Sequence, residues 1–341
     1  MIIQYNDRVV KLWLTFTCLS IVVMVLIGGL TRLTGSGLSM TEWKPITGWF
    51  PPTGQIAWQV EFDKYKESPE YLKINEGMSL NDFKSIYWLE YIHRIAGRIT
   101  VLIYIVPLIF FLLSRKISLN KIAYFLLIAV LFFLQGFAGW YMVKSGLIDN
   151  PYVNPFRLSI HLSLAVIIYS MLFWQRIHIP SEVILFSSKY NLSPTKNALL
   201  CLLFTCFCQI FVGGMVAGLK AGLVYNSFPL MGGSIIPPEL YQSDLNFDLI
   251  SNPVFIQFLH RMIAEIVFFL GINLVYKSFK SPSIKLKRAS VYIFFAILLQ
   301  VLGGIFTLIY SLPIVLALFH QISAIFLFST ILWGMFLVKN C

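Results

Sequence analysis

Long apolar runs alternate with shorter polar stretches along the whole chain, and their lengths predict membrane-crossing helices. Eight runs stand out, at about residues 12–31, 91–113, 122–143, 158–175, 197–217, 257–277, 289–310 and 314–337. A helix needs about 20 apolar residues to cross the hydrocarbon core of a bilayer. The first run is longer than the ~7–15-residue core of a secretory signal, and no small-residue cleavage site follows, so it is kept as a span. The polar stretch from about Thr34 to Trp88 is the longest connection in the first half.

The pattern repeats. Gly28-Gly29 and Gly37-Leu38 at the end of span one match Gly213-Gly214 and Gly222-Leu223 at the end of span five without a gap. Glu90, His93 and Arg94 opening span two match Gln257, His260 and Arg261 opening span six. Gln135 and Gly139 in span three match Gln300 and Gly304 in span seven, and His161 and His320 follow in spans four and eight. Four matches in the same order predict a duplication. Four spans return the chain to its starting side, so the expected fold is an all-α polytopic membrane protein. Its eight transmembrane helices form two tandem four-helix bundles related by a pseudo-two-fold axis along the membrane normal. The expected division is residues 1–175, a linker at 176–196, and 197–341. Close helix packing accounts for the small residues Gly28, Gly29, Gly139, Gly213, Gly214 and Gly304.

Composition agrees with a membrane protein: 58% of the 341 residues are hydrophobic and only 12% charged, against roughly 25% charged in soluble domains. A net charge of +11 would suit nucleic acid, but its placement argues against such a partner. Arg8 and Lys11, Arg115, Lys116 and Lys121, Arg176, Lys189 and Lys196, and the Lys277–Arg288 cluster all fall on one side of the expected membrane. By the positive-inside rule that side is cytoplasmic, and it holds both termini. Apart from Asp7 and Glu182, the acids fall in the opposite loops or beside those helix ends. The expected location is a membrane, among lipid. Cys18, Cys201, Cys206 and Cys208 lie within spans, Cys341 is terminal, and no Cys-x-x-Cys-His haem-attachment motif occurs.

His93, His161, His260 and His320 carry the candidate chemistry. Ionisable groups inside membrane spans are costly and are read as functional. Two pairs at repeated positions suit two iron porphyrins, each with an imidazole offered to either face. Zinc fits less well, since its sites use three or four ligands with carboxylate or thiolate among them. All four lie toward the outer face; His178 is expected to be an ordinary exposed residue of a cytoplasmic loop. Arg94, Arg98, Arg157 and Arg261 near the pairs can hold porphyrin propionates or act as snorkelling anchors. Glu90 lies three residues before His93 on the same helical face, whereas its counterpart is Gln257. The first half is therefore expected to do chemistry and the second to store or relay electrons. Arg98 and Glu265, each five residues past its histidine, point away from the haem face and suggest a pair joining the halves.

These residues together resemble the heme A synthase family. The carriers are Glu90 to Arg94, the Gly28–Leu38 segment, His161, Phe258 to Arg261 and His320, and the resemblance covers nearly the whole chain. It implies conversion of haem O to haem A by oxidation of a porphyrin methyl to a formyl group with oxygen from water. It also implies that His93 and His161 flank the substrate haem, that His260 and His320 ligate a haem b cofactor, and that Glu90 is the essential carboxylate. Haem O synthase, terminal-oxidase assembly proteins, an electron acceptor and a second copy of the chain are the partners it suggests, and the location it implies is the inner (plasma) membrane of a bacterium. Many bacterial relatives carry two cysteines in the first outer loop; this chain has none there and resembles the long-loop form. Glu90 can trap a methyl-derived cation as an ester or deprotonate the attacking water. A quinol-linked di-haem electron carrier and a transporter remain the rival readings.

Overall fold

The computed structural model describes residues 7–45, 47–179, 192–241 and 247–339. Among these, ten α-helices occur in the order α1 (Asp7–Leu33), α2 (Gly54–Lys66), α3 (Pro69–Lys73), α4 (Leu80–Leu113), α5 (Leu119–Lys144), α6 (Pro155–His178), α7 (Ser193–Gly218), α8 (Pro253–Phe279), α9 (Ile284–Ile309) and α10 (Ile314–Lys339). All but α2 and α3 are long and apolar enough to cross a membrane, which matches the eight expected spans. The chain is an integral membrane protein. It divides into two compact units, Met1–Ile168 and Tyr169–Cys341, with the division falling inside α6. Residues 180–191 of the expected linker lie outside the described residues.

The largest departure from the hydropathy reading is at one boundary. Helix α4 begins at Leu80 rather than near residue 91. Ser79 caps it, its hydroxyl accepting from the Asp82 amide at 3.2 Å, and its first three turns are amphipathic rather than apolar. Phe83 and Tyr87 on that stretch are buried together with Met40 and with Trp58, Phe62 and Tyr65 of α2. Phe83 stacks on Phe62 and Tyr65 with centroids 5.0 and 5.1 Å away. The long α1–α4 connection is therefore a small folded layer with its own aromatic core. Tyr65 donates to Glu70 Oε2 at 3.0 Å and accepts from Asn75 Nδ2 at 2.7 Å; burial pushes its phenol pKa up.

Within the first unit α1 packs on α4 and α4 on α5. At the end away from the histidines, Trp13 sits among Tyr104, Phe111 and Phe125 at 5.2–5.5 Å. The Tyr104 hydroxyl donates to the Phe125 carbonyl at 2.7 Å, and Trp13 Nε1 to Ile103 O at 3.0 Å. Such aromatics bury large area while their polar tips stay satisfied in an apolar setting. In the second unit α7, α8, α9 and α10 pack in a closed ring, each on its chain neighbours and α10 back on α7. Asn252 caps α8 by accepting from Val254 N at 2.9 Å, and Pro253 takes the first helical position, where no amide hydrogen is needed.

Candidate functional site: two histidine pairs and one carboxylate

Each of the four histidines meets a glycine on the preceding membrane-spanning helix. A Cβ built on Gly28 of α1 would stand 3.2 Å from His93 Nε2 of α4, and one on Gly139 of α5 would stand 2.9 Å from His161 Cε1 of α6. The second unit repeats this: Gly213 of α7 at 3.3 Å from His260 Cε1 and Gly304 of α9 at 2.9 Å from His320 Cε1. The glycines do more than let helices approach. They make the space in which each imidazole ring lies.

Three of these glycines follow a glutamine by one helical turn, the spacing that puts both on one face. Gln135 Nε2 is 3.2 Å from His161 Nδ1 and donates to His161 O at 3.1 Å. Gln209 Nε2 is 3.3 Å from His260 Nε2 and donates to His260 O at 2.9 Å. Gln300 Nε2 is 3.5 Å from His320 Nε2, and its Oε1 accepts from the Ser323 hydroxyl. In α1 the matching place holds Met24, so His93 has no such amide beside it. Gln209 was not singled out from the sequence; the Gln-x-x-x-Gly spacing is the signal that would have found it.

In the second pair both Nδ1 atoms are buried without a hydrogen-bond partner. Among the described residues no group of three or more His, Cys, Asp or Glu could hold a bare metal ion. Two imidazoles seated on glycines in each unit, with unpartnered ring nitrogens in the second, suit a porphyrin iron, because the macrocycle supplies the other four ligands. The residues present fit haem.

Glu90 is buried, at 2% exposure, and is thoroughly engaged. Its Oε1 accepts from Arg94 Nη2 at 2.6 Å and Nε at 3.1 Å, a forked ion pair within α4. Its Oε2 accepts from the Ser39 hydroxyl at 2.7 Å and the Met40 amide at 2.8 Å. About three turns inside its helix, Glu90 is out of reach of the N-terminal dipole. Arg94 also donates to Met40 O at 2.9 Å and Glu42 O at 2.8 Å. In the second unit Arg261 donates to Tyr225 O at 3.0 Å and Ser227 O at 2.9 Å, and Gln257 to Tyr225 O at 2.9 Å. Met40 and Glu42 correspond to Tyr225 and Ser227 when Gly28 is set against Gly213. Both arginines thus clamp the chain leaving the preceding span, a role neither of the two sequence expectations contained. Arg261 keeps a buried Nε without a partner.

The remaining sequence candidates fall elsewhere. Arg98 donates to Lys44 O at 2.6 Å and Pro45 O at 3.2 Å, and lies over the Trp49 ring. Arg157 donates to Tyr141 O at 2.9 Å and lies over the Tyr141 ring at 3.7 Å. His178 is not an exposed loop residue: it ends α6, half-buried, 4.3 Å from the Trp174 ring and 4.8 Å from that of Phe336. At the rim, Lys44 and Lys64 hold the Glu42 carboxyl below the usual range by hydrogen bonding.

Comparison with known proteins agrees with this architecture. The family model COX15-CtaA, described as cytochrome oxidase assembly protein, matches residues 11–332. A protein named heme A synthase from Rickettsia felis is 47% identical over 328 residues, covering 96% of this chain and 97% of the relative. Proteins of that name from Rickettsia canadensis and Rickettsia prowazekii are 47% and 45% identical, over 98% of this chain and 99% of each relative. By a family match that runs from the first span to the last, the chain belongs to the COX15-CtaA family, the family of the heme A synthases.

Proposed function

We propose that this protein is a membrane oxidoreductase that converts haem O to haem A. One methyl group and one water become a formyl group, releasing four electrons and four protons. The observation that carries this reading is local asymmetry inside a repeated frame. Both units have glycine-cradled histidines and an arginine clamp, but only the first has a buried carboxylate, Glu90, where the second has Gln257.

On this reading His93 and His161 hold the substrate haem, and His260 and His320 hold a haem b. Bound there, haem b would supply one-electron transfer to an external acceptor. The chain's own residues do the rest. Glu90, beside His93, takes protons released as the methyl carbon is oxidised and water adds. Arg94 fixes its rotamer and compensates its charge in a setting where a lone carboxylate would be costly. Arg261 holds the matching segment of the second unit and keeps one donor for a haem carboxylate.

The bacterial relatives favour an inner membrane location, and the basic loops favour both termini cytoplasmic and the histidines toward the outer face. Haem O synthase as supplier and terminal-oxidase assembly as consumer are the partners this chemistry implies. A quinol-linked di-haem carrier would use both histidine pairs but has no need of Glu90. The test is expression in a host that makes haem O and no haem A, followed by extraction of the haem. A formyl haem supports the reading; two unmodified haems per chain would support the carrier instead.

A further inference from the structure

We propose that Ser39 is a positioning residue for Glu90: its hydroxyl is the one partner of the carboxylate that can turn round when Glu90 takes up a proton. This rests on the reading of Glu90 as the working carboxylate. Four donor atoms fill the two oxygens, Arg94 Nε and Nη2 on Oε1, and Ser39 Oγ and Met40 N on Oε2. A carboxylate has about four lone-pair sites. None is left over for water or substrate until one partner gives way.

Three of the four cannot give way by rotation. The guanidinium and the Met40 amide only donate, and both are tied down, Arg94 by the Met40 and Glu42 carbonyls as well as by Glu90. The Ser39 hydroxyl can donate or accept. It is buried at 2% exposure, and beyond Glu90 its proton has two other acceptors in reach, Ser36 O at 3.1 Å and Ile86 O at 3.4 Å. With Glu90 ionised, the charged acceptor takes the proton, at 2.7 Å against 3.1 and 3.4 Å for the two carbonyls. When Glu90 gains a proton on Oε2, the hydroxyl swings to a backbone carbonyl and accepts the new O–H. One O–H bond forms on Glu90 as an O–H bond of the attacking water or a C–H bond of the oxidised carbon breaks, and Ser39 keeps its own proton throughout.

The second unit supplies an internal control. With Gly28 set against Gly213, the place of Ser39 is taken by Val224, just as Gln257 takes that of Glu90. The arginine and its carbonyl clamp are kept in both units. Hydroxyl and carboxylate are present together and absent together, which a purely structural serine would not require.

The experiment uses the haem-loaded enzyme with Ser39→Ala, Ser39→Thr and Glu90→Gln. Loss of a charge-assisted hydrogen bond to the anion predicts, for Ser39→Ala, about tenfold lower kcat and an acid limb of the pH–rate profile raised by about one unit. KM for haem O and the Soret spectrum stay as in the parent, and Ser39→Thr returns the acid limb to its parental position. Independently of turnover, the infrared carboxyl band that Glu90→Gln abolishes shifts its titration the same way in Ser39→Ala. If Ser39→Ala does not load haem, Ser39→Cys, nearly isosteric and a weak donor, replaces it with a shift of the same sign. A Ser39 variant with parental pH profile and carboxyl band, alongside an inactive Glu90→Gln, overturns this proposal alone. Parental haem A output from Glu90→Gln overturns the reading beneath it.

Discussion

Gly139→Ala puts a single methyl where the structure has room only for an imidazole. That methyl would lie 2.9 Å from His161 Cε1, whereas carbon atoms settle at about 3.5–4.0 Å. The ring must retreat by roughly 0.6–1.1 Å or helices α5 and α6 must part. Overpacking of this kind costs about 1–3 kcal/mol. If the cost falls on the ligand geometry, haem affinity of the first unit drops by about 5- to 150-fold, at tenfold per ~1.4 kcal/mol. Helix propensity works the other way, since Ala is better than Gly in a helix by about 1 kcal/mol. The protein should therefore still insert and fold while binding haem poorly, a split that simple misfolding would not give. Gly136→Ala on the same helix is the control, because a Cβ there meets nothing within 4 Å. The assay is a spectral titration of purified protein with haem O, read as Kd for each variant. Equal affinity in Gly139→Ala and Gly136→Ala would refute the cradle.

Gly304→Ala, also at 2.9 Å, should deplete the second unit of haem more than Gly213→Ala at 3.3 Å, measured as pyridine haemochrome per chain. Gln209→Leu removes the bond to His260 O and the contact with its ring; at about 1 kcal/mol for a hydrogen bond, retention of that haem falls about fivefold. Phe83→Ala deletes a fully buried ring from the α1–α4 layer at about 3–5 kcal/mol, so trypsin should cut at Lys64, Lys66 or Lys73 well before the membrane helices melt. Glu42 is held ionised by Lys44 and Lys64 below the ordinary value of 4.5. Its contribution is thus complete above that pH and is lost as pH falls through the depressed range. Protease resistance of the layer should accordingly be flat near neutrality and fall in acid, and Glu42→Gln should weaken that dependence.

Much of the fold was legible because membrane helices announce themselves by length and apolarity, and the four histidines because ionisable groups there stand out. The start of α4 was not legible for the same physical reason. Residues 80–90 alternate polar groups with Phe83 and Tyr87, so their average hydropathy hides a helix that is buried on one side only. Glu90 was visible through its mismatch with Gln257, yet its partners were not. Ser39 and Met40 reach it from about fifty residues earlier in the chain, and no local spacing records that contact. The clamp made by Arg94 and Arg261 was not legible because its acceptors are backbone carbonyls, which leave no mark in a sequence. Met24 takes the place of a fourth glutamine beside His93, a difference apparent only once the other three contacts were seen.

The most direct measurement is the haem content of purified Glu90→Gln beside the parent, made in the same haem O-producing host. The account predicts about the same total haem in both, with haem A in the parent and only haem O and haem b in the variant. Haem A at the parental level in Glu90→Gln would contradict it.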